Sequence, residues 1–237
     1  MEAQAENLAQ VINTKDRIFA ILGHDLRSPI DSLTHLMKLV SQKSISLDVL
    51  QMYTDKLKVN VKHVHVTLTN LLFWANGHMQ GLAIKPQVLE LYRLVETNFN
   101  LVQEVALEKR ILLINLIRQN VTVWADQDQV DIILRNLINN AIKFTRFYGT
   151  IRVGASLKSD CWEIFVQDSG VGIAPENLAA IFKANIGYST FGTEGEKGTG
   201  LGLAICQEMI TMNGGKIWLE SEVGKGTTIF FTLRIQN

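Results

Sequence analysis

The chain has 237 residues, 47% of them hydrophobic, which is enough apolar material for one large domain core or two ordinary ones. Lysine plus arginine equals aspartate plus glutamate at 23 each, so no net charge attracts the chain to nucleic acid or to an anionic membrane surface. We therefore expect a folded soluble protein that contacts neither nucleic acid nor membrane.

The cysteines and the chain start indicate a cytoplasmic protein. Cys161 and Cys206 lie in apolar surroundings without a C-x-x-C spacing, which argues against a metal site or a disulfide framework. No apolar run approaches the roughly 18 residues that a membrane span needs, and MEAQAENLAQ lacks the apolar stretch of a signal peptide. We expect a cytoplasmic location, either for the whole protein or for the cytoplasmic part of a membrane-anchored parent.

The first predicted elements are two helices between Leu8 and about Trp74. Apolar residues step by seven before and after the polar break SQKSIS, at Ile12, Phe19, Leu26, Leu33 and Val40, and then at Leu50, Leu57, Val64 and Leu71. Further apolar residues, among them Ile30, Met37 and Val61, widen each stripe beyond what one antiparallel partner helix covers. We therefore predict an antiparallel helical hairpin that pairs with a second chain to form a dimeric four-helix bundle.

A second domain follows a connector that contains GHMQGLAIKPQ. We predict domain boundaries at 1–78 for the hairpin, 79–86 for a linker and 87–237 for the second domain. Mixed helices and strands without strict alternation predict an α+β sandwich with helices on one face. Its predicted elements are a helix at 89–109, a strand at 111–117, a helix at 128–144, strands at 150–157 and 162–168, a helix at 201–212, and closing strands in KIWLES and TTIFFTLRI.

His24 is the candidate nucleophile of the hairpin. It lies two positions before the seam residue Leu26, so its imidazole is expected on the solvent face of the first helix. An unprotonated ring nitrogen is a competent nucleophile, and the adjacent Asp25 is positioned to hold the proton on the other nitrogen. A lone exposed histidine is usually only a surface residue, which is our interpretation of the other helical histidines, His35, His63 and His65.

Two glycine-rich segments predict a nucleotide site in the second domain. DSGVGI spans 168–173 and GEKGTGLGLAI spans 195–205. Glycines let the backbone approach a ligand closely, and the second segment opens a helix whose N-terminus favours anions. Either segment alone is weak support, because glycine-rich turns also simply connect strands and helices.

The helix predicted at 128–144 in the second domain carries the candidate metal and phosphate ligands. Asn136, Asn140 and Lys143 are four and three residues apart, so they share one helix face. The opposite face is apolar and comprises Val130, Ile133, Leu134, Leu137, Ile138 and Ala141. Amide oxygens suit Mg²⁺, and a lysine neutralises phosphate charge. We interpret Asn139, Arg135 and Asp131 as solvated helix surface.

These motifs, in this order, resemble those of the two-component sensor histidine kinases. HDLRSP resembles the family's H-box, NLINNAIKFT its N-box, DSGVGI and GTGLGLAI its glycine boxes, and GKGTTIFFTL its closing glycine motif. The resemblance covers the chain from about Phe19 to Leu233. It implies a homodimeric phosphoacceptor hairpin followed by an α/β sandwich of the GHKL (Bergerat) type. It also implies ATP- and Mg²⁺-dependent autophosphorylation, followed by phosphotransfer to an aspartate on the receiver domain of a response regulator.

The resemblance assigns roles to residues of the hairpin. His24 is the phosphoacceptor and Asp25 its activating acid. Ser28 stands where the family commonly has Thr or Asn to orient water for dephosphorylation of the regulator. The regulator is expected to dock near His24, Arg27 and Ser28.

It also assigns the nucleotide site. Asn140 is the Mg²⁺ ligand, Lys143 reaches the phosphates, and Asp168 accepts from the adenine amino group. The other nucleotide-binding residues that it implies are Asn136, Gly170, Gly172, Gly198, Thr199, Gly200, Leu201 and Gly202. A mobile ATP lid is implied at roughly 183–197.

Two other functions remain open at this point. An ATP-hydrolysing conformational machine that uses the same ATP site would release free phosphate without forming a phosphoprotein. A catalytically degenerate scaffold or phosphatase would act on a regulator, and an ATP-binding assay would distinguish it from a kinase.

Overall fold

A computed structural model describes two separate parts of the chain. It describes 84–181 without the side chains of 179 and 180, 190–196, Gly200 and 202–235, together with Ile30, Asp31, Thr34, His35, Met37, Lys38, Val49, Gln51, Tyr53, Thr54 and Val61. The chain divides into two compact units, Met1–Leu82 and Ala83–Asn237. We describe each unit by itself.

In the first unit, every described residue is helical. His35 precedes the polar break and Tyr53 follows it, and their ring centroids are 5.6 Å apart. Helical residues on both sides of the break therefore lie side by side. Three residues of the predicted apolar stripes are more than half exposed in this single chain, namely Ile30 at 59%, Met37 at 65% and Val61 at 55%.

The second unit has the sandwich predicted for it. In chain order its described elements are β1 (Pro86–Glu90), α1 (Leu91–Glu108), β2 (Leu112–Asn115), β3 (Thr122–Asp126), α2 (Gln127–Phe144), β4 (Thr150–Leu157), β5 (Cys161–Asp168), α3 (Pro175–Ile181), α4 (Gly202–Met212), β6 (Ile217–Glu222) and β7 (Gly226–Arg234). Within the described residues of this unit, the seven strands form one sheet. No helix in the described part of the chain combines the length and apolar character needed to cross a bilayer.

The sheet order brings the end of β5 next to the start of β7. Neighbouring strands run β1–β3–β7–β5–β4–β2, and β6 also pairs with β7. Every pairing is antiparallel except that of β2 with β4. Gln167 near the end of β5 pairs with Thr228 near the start of β7. Asp168, which opens the first glycine segment, therefore lies beside the closing glycine motif.

Helix α2 is the central helix of the second unit. The side chain of Asp126 caps it by accepting a 3.2 Å hydrogen bond from the backbone N–H of Gln129. All six residues of the predicted apolar face are buried, which confirms that prediction. Because α2 packs against both α1 and α4, its polar face is held next to the segments that follow β5 and precede α4.

The sequence missed three short elements of this unit. β1, β3 and α3 were not predicted, and the helix predicted from residue 89 begins at Leu91 because 86–90 form β1 instead. β1 exists through its pairing with β3, in which Leu89 lies opposite Val123. Pairing partners more than 30 residues apart leave little local signal, whereas α2, β4 and β5 were predicted to within one residue.

Candidate functional site

The first glycine segment lies directly on the C-terminal end of α2. Val171 donates its backbone N–H to the carbonyl oxygen of Phe144 at 3.1 Å. A Cβ atom on Gly170 would lie 2.3 Å from that same oxygen, so a larger residue would clash with the backbone. Gly172 has φ +69°, and a Cβ there would lie 2.0 Å from the carbonyl oxygen of Glu222. Glycine is therefore required at both positions by close backbone approach.

The second glycine segment meets the polar face of the same helix. A Cβ on Gly202, the first residue of α4, would lie 2.9 Å from Oδ1 of Asn136. Nδ2 of Asn136 donates to the carbonyl oxygen of Ile132 at 3.0 Å, which fixes the amide orientation. Gly200 has φ +70°. The fold thus brings the N-terminus of α4 to the asparagine face of α2, while the predicted ligands Gly198, Thr199 and Leu201 lie outside the described residues.

Asp168 has a largely buried carboxyl group between the first glycine segment and the closing glycine motif. Its Oδ1 accepts hydrogen bonds from the backbone N–H groups of Gly170 at 2.8 Å and Thr227 at 3.2 Å. Burial raises the pKa of this carboxyl from 3.8 to about 6, although both backbone hydrogen bonds act to lower the pKa. Because Oδ1 is occupied by the backbone, Oδ2 is the atom that can accept a hydrogen bond from a ligand.

Thr227 is a contributor to the site that the sequence did not single out. Its backbone N–H steadies Asp168, and neighbouring Gly226 has φ +111° with its Cα facing the carbonyl oxygen of Asp168. A Cβ on Gly226 would lie 2.0 Å from that oxygen. The closing glycine motif contains both residues, but a backbone donor carries no residue-type signal by which it could have been recognised.

The two remaining predicted ligands on α2 differ in their surroundings. Asn140 is half-buried on the same face as Asn136. Nζ of Lys143 donates to the carbonyl oxygen of Thr190 at 2.8 Å and lies 4.7 Å from the centre of the Phe144 ring. Burial lowers the pKa of Lys143, and the nearby charge of Glu196 partly opposes this effect. Lys143 thus contacts the chain that leads into the second glycine segment.

One interpretation of the helix surface needs correction. Asn139 is exposed, as expected, but Asp131 and Arg135 are half-buried rather than solvated. Oδ1 of Asp131 accepts a 2.9 Å hydrogen bond from Nδ2 of Asn98 on α1. The packing of α1 against α2 covers this side of the helix, and that tertiary contact was invisible in the periodicity.

The end of the predicted lid is anchored on α2, and a groove lies beside it. Thr193 donates its backbone N–H to the carbonyl oxygen of Lys143 at 3.0 Å. The groove has a volume of about 430 Å³ and is lined by Arg146, Phe147, Val171, Thr193 and Glu194. It therefore opens between the first glycine segment and the 190–196 segment. Residues 183–189 and 197 of the predicted lid lie outside the described residues.

The proposed phosphoacceptor cannot be placed in this geometry. His24, Asp25 and Ser28 lie outside the described residues, and so their roles stay predictions. The metal prediction also stays a prediction. Among the described residues, no three His, Cys, Asp or Glu side chains lie close enough together to hold a metal ion.

A known protein family matches the part of the chain that contains this site. Residues 125–237 match the family described as histidine kinase-, DNA gyrase B-, and HSP90-like ATPase. The matched region starts at the end of β3 and includes α2, both glycine segments and the closing glycine motif. The site built from the geometry therefore lies entirely within the matched residues.

Two curated relatives are similar to nearly the whole chain. They are the adaptive-response sensory kinases SasA of Prochlorococcus marinus subsp. pastoris, at 28% identity, and of Synechococcus elongatus, at 26% identity. Both similarities cover 99% of this chain. The chain spans 62% and 63% of the length of these relatives, respectively.

Solved structures of histidine kinases share the fold. A nucleotide-free catalytic domain of the histidine kinase ThkA is 28% identical, with a TM-score of 0.55, and the match covers 63% of this chain and 95% of that domain. ThkA in complex with the response regulator protein TrrA is 20% identical, with a TM-score of 0.74, over 96% of this chain and 64% of that one. The second match is a likeness of fold alone.

Proposed function

We propose that the chain is a two-component sensor histidine kinase that transfers the γ-phosphate of ATP to His24, since its residues 125–237 match the histidine kinase-, DNA gyrase B-, and HSP90-like ATPase family and nearly the whole chain is similar to sensory kinases. The observation that carries this proposal is the convergence of two glycine segments on one helix, with the closing glycine motif packed against the first of them. Gly170 and Gly202 lie against α2, and Gly226 lies against Asp168. This arrangement brings a helix N-terminus and close-packed glycine backbone to a polar helix face, which suits a nucleoside triphosphate.

Asp168 is the proposed adenine ligand. Its Oδ1 is held by two backbone N–H groups, and Oδ2 would accept the hydrogen bond from the exocyclic amino group of adenine. The backbone N–H groups at the start of α4 and in the preceding glycine segment would bind the phosphates. That set comprises Gly198, Thr199, Gly200, Leu201 and Gly202, supported by Asn136, Gly170 and Gly172.

Asn140 is the proposed protein ligand for Mg²⁺. A neutral amide oxygen is a hard ligand, and Mg²⁺ in nucleotide sites is commonly held by one or two protein groups plus substrate phosphates. When bound, the ion would neutralise charge on the phosphates. Lys143, three residues along the helix, would add its positive charge after releasing the carbonyl of Thr190.

The chemical step that we propose is an in-line displacement at phosphorus. The lone pair of an unprotonated ring nitrogen of His24 forms the new N–P bond, and the bond from phosphorus to the β,γ-bridging oxygen breaks to release ADP. The ring then carries an extra positive charge, which Asp25 would relieve by accepting the proton from the other nitrogen. The phosphoryl group would next pass to a carboxylate oxygen of an aspartate on a response regulator.

A homodimer and a response regulator are the proposed partners. Ile30, Met37 and Val61 belong to the predicted apolar stripes and are more than half exposed in the single chain, so a second copy would bury them. The similar kinase ThkA has a solved complex with the response regulator protein TrrA. Ser28 of this chain would orient water for dephosphorylation of the aspartyl phosphate on the regulator.

Incubation with γ-labelled ATP and Mg²⁺ tests the proposal. We expect label on the protein that is stable to base and labile to acid, as a phosphohistidine is, and no label on His24→Gln. Free phosphate without labelled protein would instead favour an ATP-hydrolysing machine. Absence of ATP binding would favour a degenerate scaffold or phosphatase.

A further inference from the structure

Lys109 is a buried cation next to the nucleotide-binding region. It follows the last residue of α1, and only 6% of its surface is exposed. Its ammonium donates to three acceptors, the carbonyl oxygen of Ile142 at 3.1 Å, Oγ1 of Thr193 at 2.9 Å and Oε1 of Glu196 at 2.7 Å. A buried ammonium is costly unless its protons are paired, and here each of the three is accounted for. These hydrogen bonds join the end of α1, the end of α2 and the 193–196 segment, which are distant in sequence.

The segment that Lys109 holds is itself a closed turn. Gly192 donates its backbone N–H to the carbonyl oxygen of Glu196 at 2.8 Å, and Glu194 donates its backbone N–H to Oε2 of Glu196 at 2.9 Å. Burial raises the pKa of Glu196, but hydrogen bonds from Lys109 and from backbone N–H groups outweigh this, and the pKa is lowered overall. The carboxylate thus uses one oxygen to close the turn and the other to bind Lys109.

This turn is tied to the last residues of α2. Thr193 donates its backbone N–H to the carbonyl oxygen of Lys143 at 3.0 Å, and Lys109 itself binds the neighbouring carbonyl oxygen of Ile142. Carbonyl groups in the last turn of a helix lack intrahelical partners. Lys109 and Thr193 use those free acceptors to attach the turn to the helix that carries Asn140 and Lys143.

The consequence concerns the chain that runs from this turn to α4. Glu196 marks one end of the connection, and Gly202 marks the other, where it lies against Asn136. Only residues 197–201 separate the two, and they include Gly198 and Gly200 of the second glycine segment. Holding both ends of a short connection on one helix reduces the conformational freedom that must be lost when the segment binds phosphate.

We propose that Lys109 is a positioning residue for the triphosphate, which acts by anchoring the 192–196 turn to α2 and so presenting the second glycine segment. This rests on the proposed ATP-binding function. Lys109 touches no nucleotide in this role. Its effect should therefore fall on binding of the phosphates and not on binding of adenine, for which Asp168 is the proposed ligand.

Binding of two ligands to the 237-residue chain tests the proposal. Titration calorimetry would measure the dissociation constants of a non-hydrolysable ATP analogue with Mg²⁺ and of adenosine, for the wild type, Lys109→Met and Thr193→Val. We expect Lys109→Met to weaken the ATP analogue about tenfold or more, as the loss of a charge-assisted buried hydrogen bond would. We expect Thr193→Val to weaken it about fivefold and both variants to change adenosine binding less than about twofold.

Lys158→Met is the matched control. Lys158 also pairs with a glutamate, Glu163 at 3.1 Å, but it lies at the β4–β5 turn, at the opposite end of β5 from Asp168. We expect its affinities to equal those of the wild type. A purely structural role of Lys109 would weaken both ligands equally, and an absent role would weaken neither, so either result overturns the proposal. If Lys109→Met does not fold, the same selective loss in Thr193→Val decides the question.

The two proposals fail in different ways. A wild-type chain that binds neither ligand overturns the proposed ATP-binding function. A wild-type chain that binds both, together with variants that lack the selective loss, overturns the role of Lys109 alone. Autophosphorylation kinetics add a separate readout, since Lys109→Met should raise KM for ATP while the rate at saturating ATP stays within about threefold of the wild type.

Discussion

Replacing Asp168 by asparagine should stabilise the second unit while abolishing adenine recognition. The carboxyl is largely buried, and its pKa is raised from 3.8 to about 6. Asparagine keeps an oxygen that can accept from the backbone N–H groups of Gly170 and Thr227. Its NH₂ group takes the place of Oδ2, however, where it would face the adenine amino group as donor against donor. Asp168→Asn should therefore lose ATP binding.

The sign and size of the stability change follow from the pKa. Because the folded-state pKa lies above the unfolded value of 3.8, the folded chain binds the proton more tightly. Stability from this group is fully present below pH 3.8 and is lost as the pH rises through about 6. The two pKa values differ by about 2, which corresponds to an upper limit of roughly 3 kcal/mol. Asparagine carries no charge and avoids that loss.

Urea unfolding at two pH values measures the effect. Trp124, Trp162 and Trp218 lie in Ala83–Asn237 and Trp74 lies in Met1–Leu82, so tryptophan fluorescence reports on the second unit alone when both proteins also carry Trp74→Phe. At pH 8 we expect Asp168→Asn to raise the free energy of unfolding by about 1–3 kcal/mol over the wild type. Near pH 4 the two proteins should be almost equally stable, because the wild-type carboxyl is then protonated in the folded state.

Two outcomes would refute this reasoning. A stability difference that does not change between pH 4 and pH 8 would mean that the Asp168 charge is not its source. A variant that is less stable than the wild type at pH 8 would mean that the carboxylate is stabilised by its two backbone donors more than it is penalised by burial. Retained ATP affinity would separately contradict the proposed adenine contact.

Three further predictions concern other residues. His24→Gln should abolish protein labelling by γ-labelled ATP and leave ATP affinity unchanged, and acid-labile phosphate on this variant would refute the assignment. Asn140→Ala should slow Mg²⁺-dependent autophosphorylation by about a hundredfold, since the metal supplies several kcal/mol of charge stabilisation, and an unaffected rate would exclude its metal role. Gly226→Ala should lower the free energy of unfolding by roughly 3 kcal/mol, because it combines φ +111° with a Cβ 2.0 Å from the carbonyl oxygen of Asp168. Gly224→Ala is its control, with φ +80° but open space around the Cβ, and should lower it by about 1 kcal/mol in the same urea titration.

Sequence patterns predicted the central helix well and missed two of the short strands, β1 and β3. α2 has a capping aspartate, a continuous apolar face and 18 residues, so local signals agree along its whole length. β1 and β3 have five residues each and depend on partners far along the chain. The predicted solvation of Asp131 was wrong for a related reason, because Asn98 approaches it from a different helix.

The candidate site shows the same division. Asn136, Gly170 and Gly202 were predicted as ligands from motif and spacing, and the structure brings them to one helix, although their ligand roles stay predictions. Lys109 and Thr227 were missed. Lys109 belongs to no motif, and its burial depends on contacts with distant segments. Thr227 contributes only a backbone N–H, which any residue other than proline would supply.

From the amino-acid sequence we could predict which segments have helical apolar spacing, which segments are rich in glycine, and which polar residues share a face of α2. Those properties depend on neighbours a few residues away and are written in local spacing. Tertiary structure alone decided that Asp168 is buried enough to raise its pKa, that Lys109 reaches Glu196, and that the end of the predicted lid is fastened to α2. Burial and long-range hydrogen bonds arise only when distant segments displace water from one another, and spacing along a chain does not encode that event.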